Sequence, residues 1–334
     1  MPVAVVVVGA IVAGVVAKRS HDTDAGPLIT GLPYFPEAYE GQDSWARPLW
    51  DEQAGYGMDP APETFVRNPD HEGLFSVHDG IRASLEVDDP GLVVWFFGGS
   101  TMFGFGQRDE HTIPSEIVRS AAADGHRIEA VNFGTPTWAI WQEAAELDRR
   151  LAQGPPPDLV VFYDGCNDWA NFVQLLGAGR NVDYAWAIGS PFDANPKEPE
   201  PKTPAERTAR LLRYAKVPNQ ALGDVQDLAA EHGFDLVRFW QPVAQAARWN
   251  PKETRTLDRL DISLDDVPER RREYQELRRA IGPPDAIDVS DALDELDAPV
   301  YLDWCHTNEV GSKLVADAMY EELGPLIARL DDDR

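Results

Sequence analysis

Ser100 follows an apolar run and two glycines, LVVWFFGGST from Leu92 to Thr101. A hydroxyl placed there is a candidate nucleophile, because Gly98 and Gly99 permit a sharp turn and close approach of a ligand while the Ser100 N–H stays free. An ordinary strand-to-helix turn has the same composition, so this stretch alone leaves both readings open. Other groups able to move protons or bear charge stand at three further places. Asn132-Phe133-Gly134 and Asp164-Gly165-Cys166-Asn167-Asp168 each end an apolar run, and Asp303-Trp304-Cys305-His306 sets a carboxylate three residues before an imidazole. Competing chemistries fit less well. The glycines lack the Gly-Lys pair of a P-loop, Gly104 and Gly106 do not complete G-x-G-x-x-G, and Met102 takes the place of the last glycine of G-x-S-x-G. The seven histidines are scattered, with no H-E-x-x-H and no paired ligand spacing, so neither a metal nor a cofactor is expected.

Elements must exist to hold these groups. The six apolar residues Leu92 to Phe97 fit a strand buried on both faces, which belongs in a parallel sheet. Pro114 and Glu116 suit the first turn of a helix running to about Ala123, and Ile128 to Phe133 reads as the next strand. Trp138, Trp141, Ala145, Leu147 and Leu151 recur at helical spacing and put both tryptophans on the core side of a helix. Leu159 to Tyr163 is a further buried strand. Helical patterns over about 205–231 and 267–281 flank a strand from Asp235 to Trp240. A short strand near 286–289, the segment 299–303 and a helix from about Glu309 complete the chain. This alternation predicts an α/β fold with a parallel sheet covered on both faces. Ser100 would then lie at the carboxyl edge, where such sheets hold their ligands.

The four blocks GGST, NFG, GCND and DWCH, in this order, resemble the SGNH hydrolase superfamily, the GDSL-type esterases and lipases, over the region from Leu92 to the end of the chain. The resemblance implies a flavodoxin-like three-layer α/β/α fold with a central parallel sheet. It makes Ser100 the nucleophile, His306 its general base and Asp303 the group that orients the imidazole. It also assigns the oxyanion hole to the Ser100 and Gly134 amides and the Asn167 side chain. Those residue types suit the roles: serine needs a base to become nucleophilic, and Asn offers an N–H without a charge. Two positions depart from the family pattern. Gly99 replaces the aspartate of Gly-Asp-Ser, and Thr137 replaces a glycine of N-x-G-x-x-G. The implied activity is cleavage of a carboxylic ester through an acyl-enzyme, with an O-acetyl or short acyl ester on a glycan or cell-envelope component as the favoured substrate. An O-acyltransferase using the same residues, or a catalytically silent binding protein on this scaffold, are the alternatives. Such a fold brings Asn167 and His306 to Ser100, and so brings the preceding residues together. These are Cys166 and Cys305, the only cysteines, and a disulfide between them is expected, which implies an oxidising compartment.

At 334 residues and 43% hydrophobic content the chain can bury a large core. Its 57 acidic against 30 basic residues leave a net charge of -27, which repels nucleic acid and anionic lipid headgroups. Residues 1–19 hold an uncharged apolar run followed by Lys18 and Arg19, read as a single membrane anchor. The flanking charges favour a cytoplasmic domain by the positive-inside rule, whereas the expected disulfide favours an extracytoplasmic one; the second is the expectation adopted. Residues 20–90, rich in Pro, Gly and aromatics, read as an irregular extension wrapping a catalytic domain at 91–334, with short strands at its end near Leu74 to Val77 and Ala83 to Val87. The packing of Trp45, Trp50 and Tyr56 onto that domain accounts for their presence. A polar, Pro-rich insertion at about 177–204 interrupts the domain and would shape access to the site.

Overall fold

The computed structural model describes residues 37–61, 63–182, 196–250 and 254–334. Helix α1 (Asp43–Gly55) is followed by the hairpin of β1 (Asp59–Ala61) and β2 (Phe65–Arg67), then by β3 (His71–Glu72), β4 (Ser76–His78) and β5 (Ile81–Arg82). Strand β6 (Leu92–Gly98) leads into the one-turn helix α2 (Ser100–Phe103), and α3 (Ile113–Ala123) into β7 (Ile128–Asn132). Next come α4 (Ile140–Leu151), β8 (Leu159–Asp164), α5 (Cys166–Gly177), α6 (Pro204–Tyr214), α7 (Lys216–His232) and β9 (Asp235–Trp240). Helices α8 (Thr254–Arg259) and α9 (Val267–Ala280), strand β10 (Ile287–Asp288) and helix α10 (Glu309–Asp332) follow.

The main sheet has the order β10-β9-β8-β6-β7-β5-β4-β3. Its first five members are parallel, and in chain order they read 2-1-3-4-5, the flavodoxin-like order expected from the sequence. Side-chain alternation explains why the central strands are apolar throughout. Trp95 and Phe97 of β6, with Val160 and Phe162 of β8, enter one core shared with α4, α5, α6, α7 and α9. Val94 and Phe96, with Leu159 and Val161, enter the other, closed by α3 and α10 through Ile117, Val118, Val315 and Met319. A strand feeding two cores has no polar face to spare.

The 37–90 region is more regular than its composition implies. Its strands β5, β4 and β3 extend the sheet antiparallel from β7, with Arg82 opposite Asn132, and so cover an edge that would otherwise present unpaired backbone groups. Helix α1 corrects the expectation of an irregular segment. Ala46, Leu49, Trp50 and Gln53 are buried at i, i+3, i+4 and i+7, a helical stripe obscured in the sequence by Pro48 and by the half-exposed Trp45. Trp50 and Tyr56 join Tyr39, Phe75, Phe103, Phe105 and Leu302 in a third apolar cluster, so these aromatics do pack on the main domain.

Other boundaries moved by local causes. Trp138 lies in the turn before α4 rather than on it, with its N–H bonded to Thr135 O at 3.2 Å. The pattern at 205–231 is two helices, divided at Ala215. The anchor expected at 1–19 and part of the insertion, residues 183–195, lie outside the described residues. Within the described residues no helix is long and apolar enough to cross a membrane, and the anchor expectation is not addressed by the described residues. The insertion's described ends meet at the bridge Arg180–Lys197.

Candidate active site

Ser100 opens α2 at the carboxyl end of β6, and Asn167 stands in the first turn of α5 at the end of β8. These two strands flank the point where the strand order reverses, the place where open α/β sheets form a crevice. Gly99 is required there because a Cβ on it would overlap Asn167 Nδ2, which also explains why aspartate cannot occupy this position in the observed conformation. Gly165, with φ 121°, makes the tight exit from β8 that aims Asn167 at Ser100, and a side chain on it would run into Tyr274. Thr101 Oγ1 donates to Gln241 Oε1 at 2.7 Å and ties α2 to the end of β9.

His306 arrives from a compact loop closed by Leu302 N–H to His306 O at 2.8 Å and Asn308 N–H to Val300 O at 2.8 Å. Its Nε2 lies 2.7 Å from Ser100 Oγ and its Nδ1 lies 2.6 Å from Asp303 Oδ2. Asp303 is fixed by two backbone donors, Cys305 N at 2.9 Å and His306 N at 2.8 Å, both to Oδ1. All three side chains are nearly shielded from solvent, Ser100 at 6%, His306 at 5% and Asp303 at 4% exposure. Burial opposes charge on both members of the His306–Asp303 pair, yet their attraction and hydrogen bond prevail. Asp303 is held below its ordinary value, and the imidazole is pushed well above the usual histidine range. Phe105 covers the ring of His306, with centroids 5.1 Å apart.

Of the residues singled out from the sequence, Ser100, Asp303, His306 and Asn167 come together. Asn167 Nδ2 donates to Trp138 O at 2.6 Å, which fixes the amide and uses one of its two N–H groups. The Ser100 N–H, at the first position of α2, has no intrahelical acceptor. Gly134 is a correction. Its N–H donates to Asn132 Oδ1 at 2.9 Å, while Asn132 Nδ2 donates to Met102 O at 2.9 Å. The Asn132 side chain therefore folds over its own turn and takes the amide assigned to the oxyanion hole. Gly134 is small for a different reason: a Cβ would overlap Phe103 N in α2. Thr137, where the family pattern has glycine, keeps a left-handed φ of 75°, a conformation of order 1–3 kcal/mol above the ordinary regions for a non-glycine residue.

The expected disulfide is also corrected. Cys166 and Cys305 are free, buried thiols. They are neighbours, as expected, and their sulfurs are in hydrogen-bonding contact, with burial raising both thiols above the ordinary range. In this dry setting neither is a ready thiolate, the species that would begin oxidation. Asp303, Cys305 and His306 also present donor atoms within 4.8 Å of one another, close enough to share a metal ion.

One group of functional interest escaped sequence reasoning. Glu143 of α4, Asp164 of β8 and Asp168 of α5 are all buried beside one buried cation, Arg238 of β9. Arg238 Nε lies 3.2 Å from Asp164 Oδ2, and Glu143 and Asp164 are in hydrogen-bonding contact, which requires a proton between them. Burial first, and the Asp164 charge second, push Asp168 up to about 8 and Glu143 well above its ordinary value. Asp168 also accepts from the Ile140 amide and from Tyr214, and so holds the turn bearing Asn167 against α4 and α6.

No family model matches the chain, and no curated protein does. Among solved structures, the chain is similar to the acetyl xylan esterase AlAXEase, with 16% identity and a TM-score of 0.41 over 69% of this chain and 99% of the other. It is similar to the lipase Lip_vut3 from a goat rumen metagenome, at 10% identity and a TM-score of 0.44, covering 69% and 96%. It is also similar to a Clostridium thermocellum family 3 carbohydrate esterase, at 14% identity and a TM-score of 0.40, covering 72% and 98%. Identities and scores this low leave the function of this chain to be read from its own side chains.

Proposed function

We propose that the protein is a serine ester hydrolase. The observation that carries this reading is the continuous relay from Ser100 Oγ through His306 to Asp303, with hydrogen bonds of 2.7 and 2.6 Å. In the proposed reaction His306 Nε2 takes the Ser100 proton as Oγ attacks the ester carbonyl. The imidazolium then returns the proton to the departing alcohol, and water attacks the acyl-enzyme under the same base. Asp303 holds the Nδ1–H tautomer and stabilises the imidazolium. The Ser100 N–H and the second N–H of Asn167 are the donors available to the oxyanion at the strand ends. A nucleophile only 6% exposed supports a small acyl group, acetyl being the simplest. The alcohol side is assigned to a polar, hydroxylated carrier such as a glycan, as the sequence reading expected.

The test uses a chromogenic acetyl ester, longer-chain homologues and an acetylated xylo-oligosaccharide. Turnover of the acetyl esters and labelling by a fluorophosphonate are expected in the native protein. Both should disappear in Ser100→Ala, a change that removes one hydroxyl and leaves the fold intact. Turnover that survives in this variant would end the serine mechanism.

A further inference from the structure

The geometry points to a thiolate metal site built into the base of the proposed relay: Cys166, Cys305, His306 and Asp303 together bind one soft divalent cation of the zinc or cadmium class, and that binding switches the relay off. Three donors of the kinds zinc prefers, from Asp303, Cys305 and His306, lie within 4.8 Å of one another, and Cys166, outside that group, touches Cys305. Cys305 Sγ lies 3.9 Å from His306 Nδ1, Cys166 Sγ is in hydrogen-bonding contact with Cys305 Sγ, and Asp303 Oδ2 lies 2.6 Å from the same Nδ1. A tetrahedron with zinc–sulfur bonds of about 2.3 Å and zinc–nitrogen bonds of about 2.0 Å has edges of roughly 3.3 to 3.8 Å, so the sulfur contacts are already near their ligated spacing. The Asp303–His306 contact must open, by under about 1 Å on the same geometry, and Cys166 must swing from Cys305 towards the other two donors. The donors come from two loops, 164–168 and 300–308, that the fold has already fixed, so little ordering remains for the ion to impose.

Two sulfurs, an imidazole and one carboxylate favour a thiophilic ion over magnesium or calcium, which need more oxygen ligands. Binding expels both thiol protons to solvent and, from the imidazolium form, the Nδ1 proton as well, and no electrons move. The cation reverses the burial effect that keeps these thiols protonated. It takes the Nδ1 lone pair, which obliges the remaining imidazole proton to reside on Nε2. Nε2 then becomes a donor and cannot accept the Ser100 proton. The inhibitory consequence rests on the function proposed above; metal binding does not.

The experiment titrates the full-length, reduced protein with cadmium, recording the ultraviolet thiolate-to-cadmium charge-transfer band and, in parallel, turnover of a chromogenic acetyl ester. One cadmium per chain with a thiolate band is expected, and inhibition should follow the same isotherm. In Cys166→Ala and in Cys305→Ala the affinity should fall by about 100-fold or more, beyond the roughly 10- to 100-fold that loss of an outer-shell partner causes. Inhibition is read against each variant's own metal-free rate. A band with this stoichiometry supports the site even in a preparation that hydrolyses no ester, a result that would count against the esterase reading alone. Absence of the band in the native protein, or inhibition of equal potency in both variants, overturns the metal site. Should the alanine variants fail to fold, the native protein still decides, because magnesium in place of cadmium must leave the rate unchanged; inhibition by magnesium at the same concentrations would overturn a thiolate site.

Discussion

Asp303 and Asp164 are both shielded from water, yet only Asp303 is held below its ordinary value, whereas Asp164 is raised. The difference lies in their donors. Asp303 receives three N–H groups, from His306 Nδ1 and the backbones of Cys305 and His306, and no second carboxylate competes for them. Asp164 shares one guanidinium with Glu143 and Asp168, so protons have to replace the missing cations. Burial alone therefore does not decide whether a carboxyl is charged. The count of donors for each carboxylate does.

The largest effect is expected from turning Asp303 into a neutral acceptor. Asp303→Asn should lower kcat by about 10⁴, since an amide no longer holds the correct tautomer or stabilises the imidazolium. The same change should move the acidic limb of the pH–rate profile downward. In the proposed mechanism His306 must be neutral to act, and in the native protein the Asp303 charge carries its pKa above 6.5 against burial, so activity should rise with pH through that elevated value. An unmoved acidic limb in the variant would show that another group controls it. The sign for stability is opposite for the two partners. The raised His306 contributes stability below pH 6.5 that is lost as pH climbs through its folded value, and the depressed Asp303 contributes stability above 3.8 that is lost as pH falls through its folded value.

In the other carboxylate group the cation is the point of failure. Arg238→Met should destabilise the fold by about 3–5 kcal/mol at neutral pH, because three buried acids lose their only cation. Urea unfolding would measure this, and part of the loss should be recovered at lower pH, where the acids take up protons. A loss independent of pH would mean that packing, not charge, is Arg238's contribution. Smaller again is Asn167→Ala, expected to lower kcat by roughly 10²–10³ with little change in KM, the usual consequence of removing one oxyanion donor. A change confined to KM would reassign Asn167 to substrate binding. The mildest is Asp168→Asn. A buried acid raised to about 8 binds its proton more tightly when folded, so native stability should decline from about pH 4 to pH 8 and then level off. The variant should flatten that decline while keeping the contacts to Ile140 and Tyr214. An unchanged slope would place the titration on another carboxyl.

The same contrast separates what the sequence made legible from what it did not. Ser100, Asn167, Asp303 and His306 could be found because each sits in a short block at a strand end or before a helix, where neighbouring residues mark it. The five parallel strands were legible for a related reason, since runs such as LVVWFF feed two cores and leave no polar face. The Glu143, Asp164, Asp168 and Arg238 group has no such mark: its members come from four elements, and single acids are unremarkable in a chain with 57 of them. Asp168, next to Asn167, is a buried link to α4 and α6 through Ile140 and Tyr214. Gly134 misled because a family block gives a residue's place but not its hydrogen bonds, and the neighbouring Asn132 had already taken the amide. Helix α1 was hidden by Pro48, which stands inside it, where a missing N–H ordinarily marks a break in a helix.

The extension at 37–90 has a consequence for the order in which the chain acquires its shape. Ala38 O accepts from Asn308 Nδ2 at 2.9 Å, Tyr39 bonds to Gly106 O, and the Gln107 carbonyl receives Arg82 at 3.1 Å while its side chain reaches Thr307 O at 3.0 Å. The segment that leaves the ribosome early is thus fastened to a loop made nearly last, across a sequence separation of 270 residues. Contacts this distant form late, because chain closure must be achieved before they gain anything. The Ala38 carbonyl and the Gln107 side chain must therefore wait for their partners until the final loop emerges, while Trp50 and Tyr56 already have Phe105, Phe75 and Phe103 to pack on. Regain of helical circular dichroism before regain of esterase activity on dilution from urea is the kinetic signature of that wait, and simultaneous recovery would contradict it. Until residues 300–308 are made, the Ala38 carbonyl and the Gln107 side chain lack the partners that close the extension onto the sheet, and that interval is when a nascent chain of this design has most need of a chaperone.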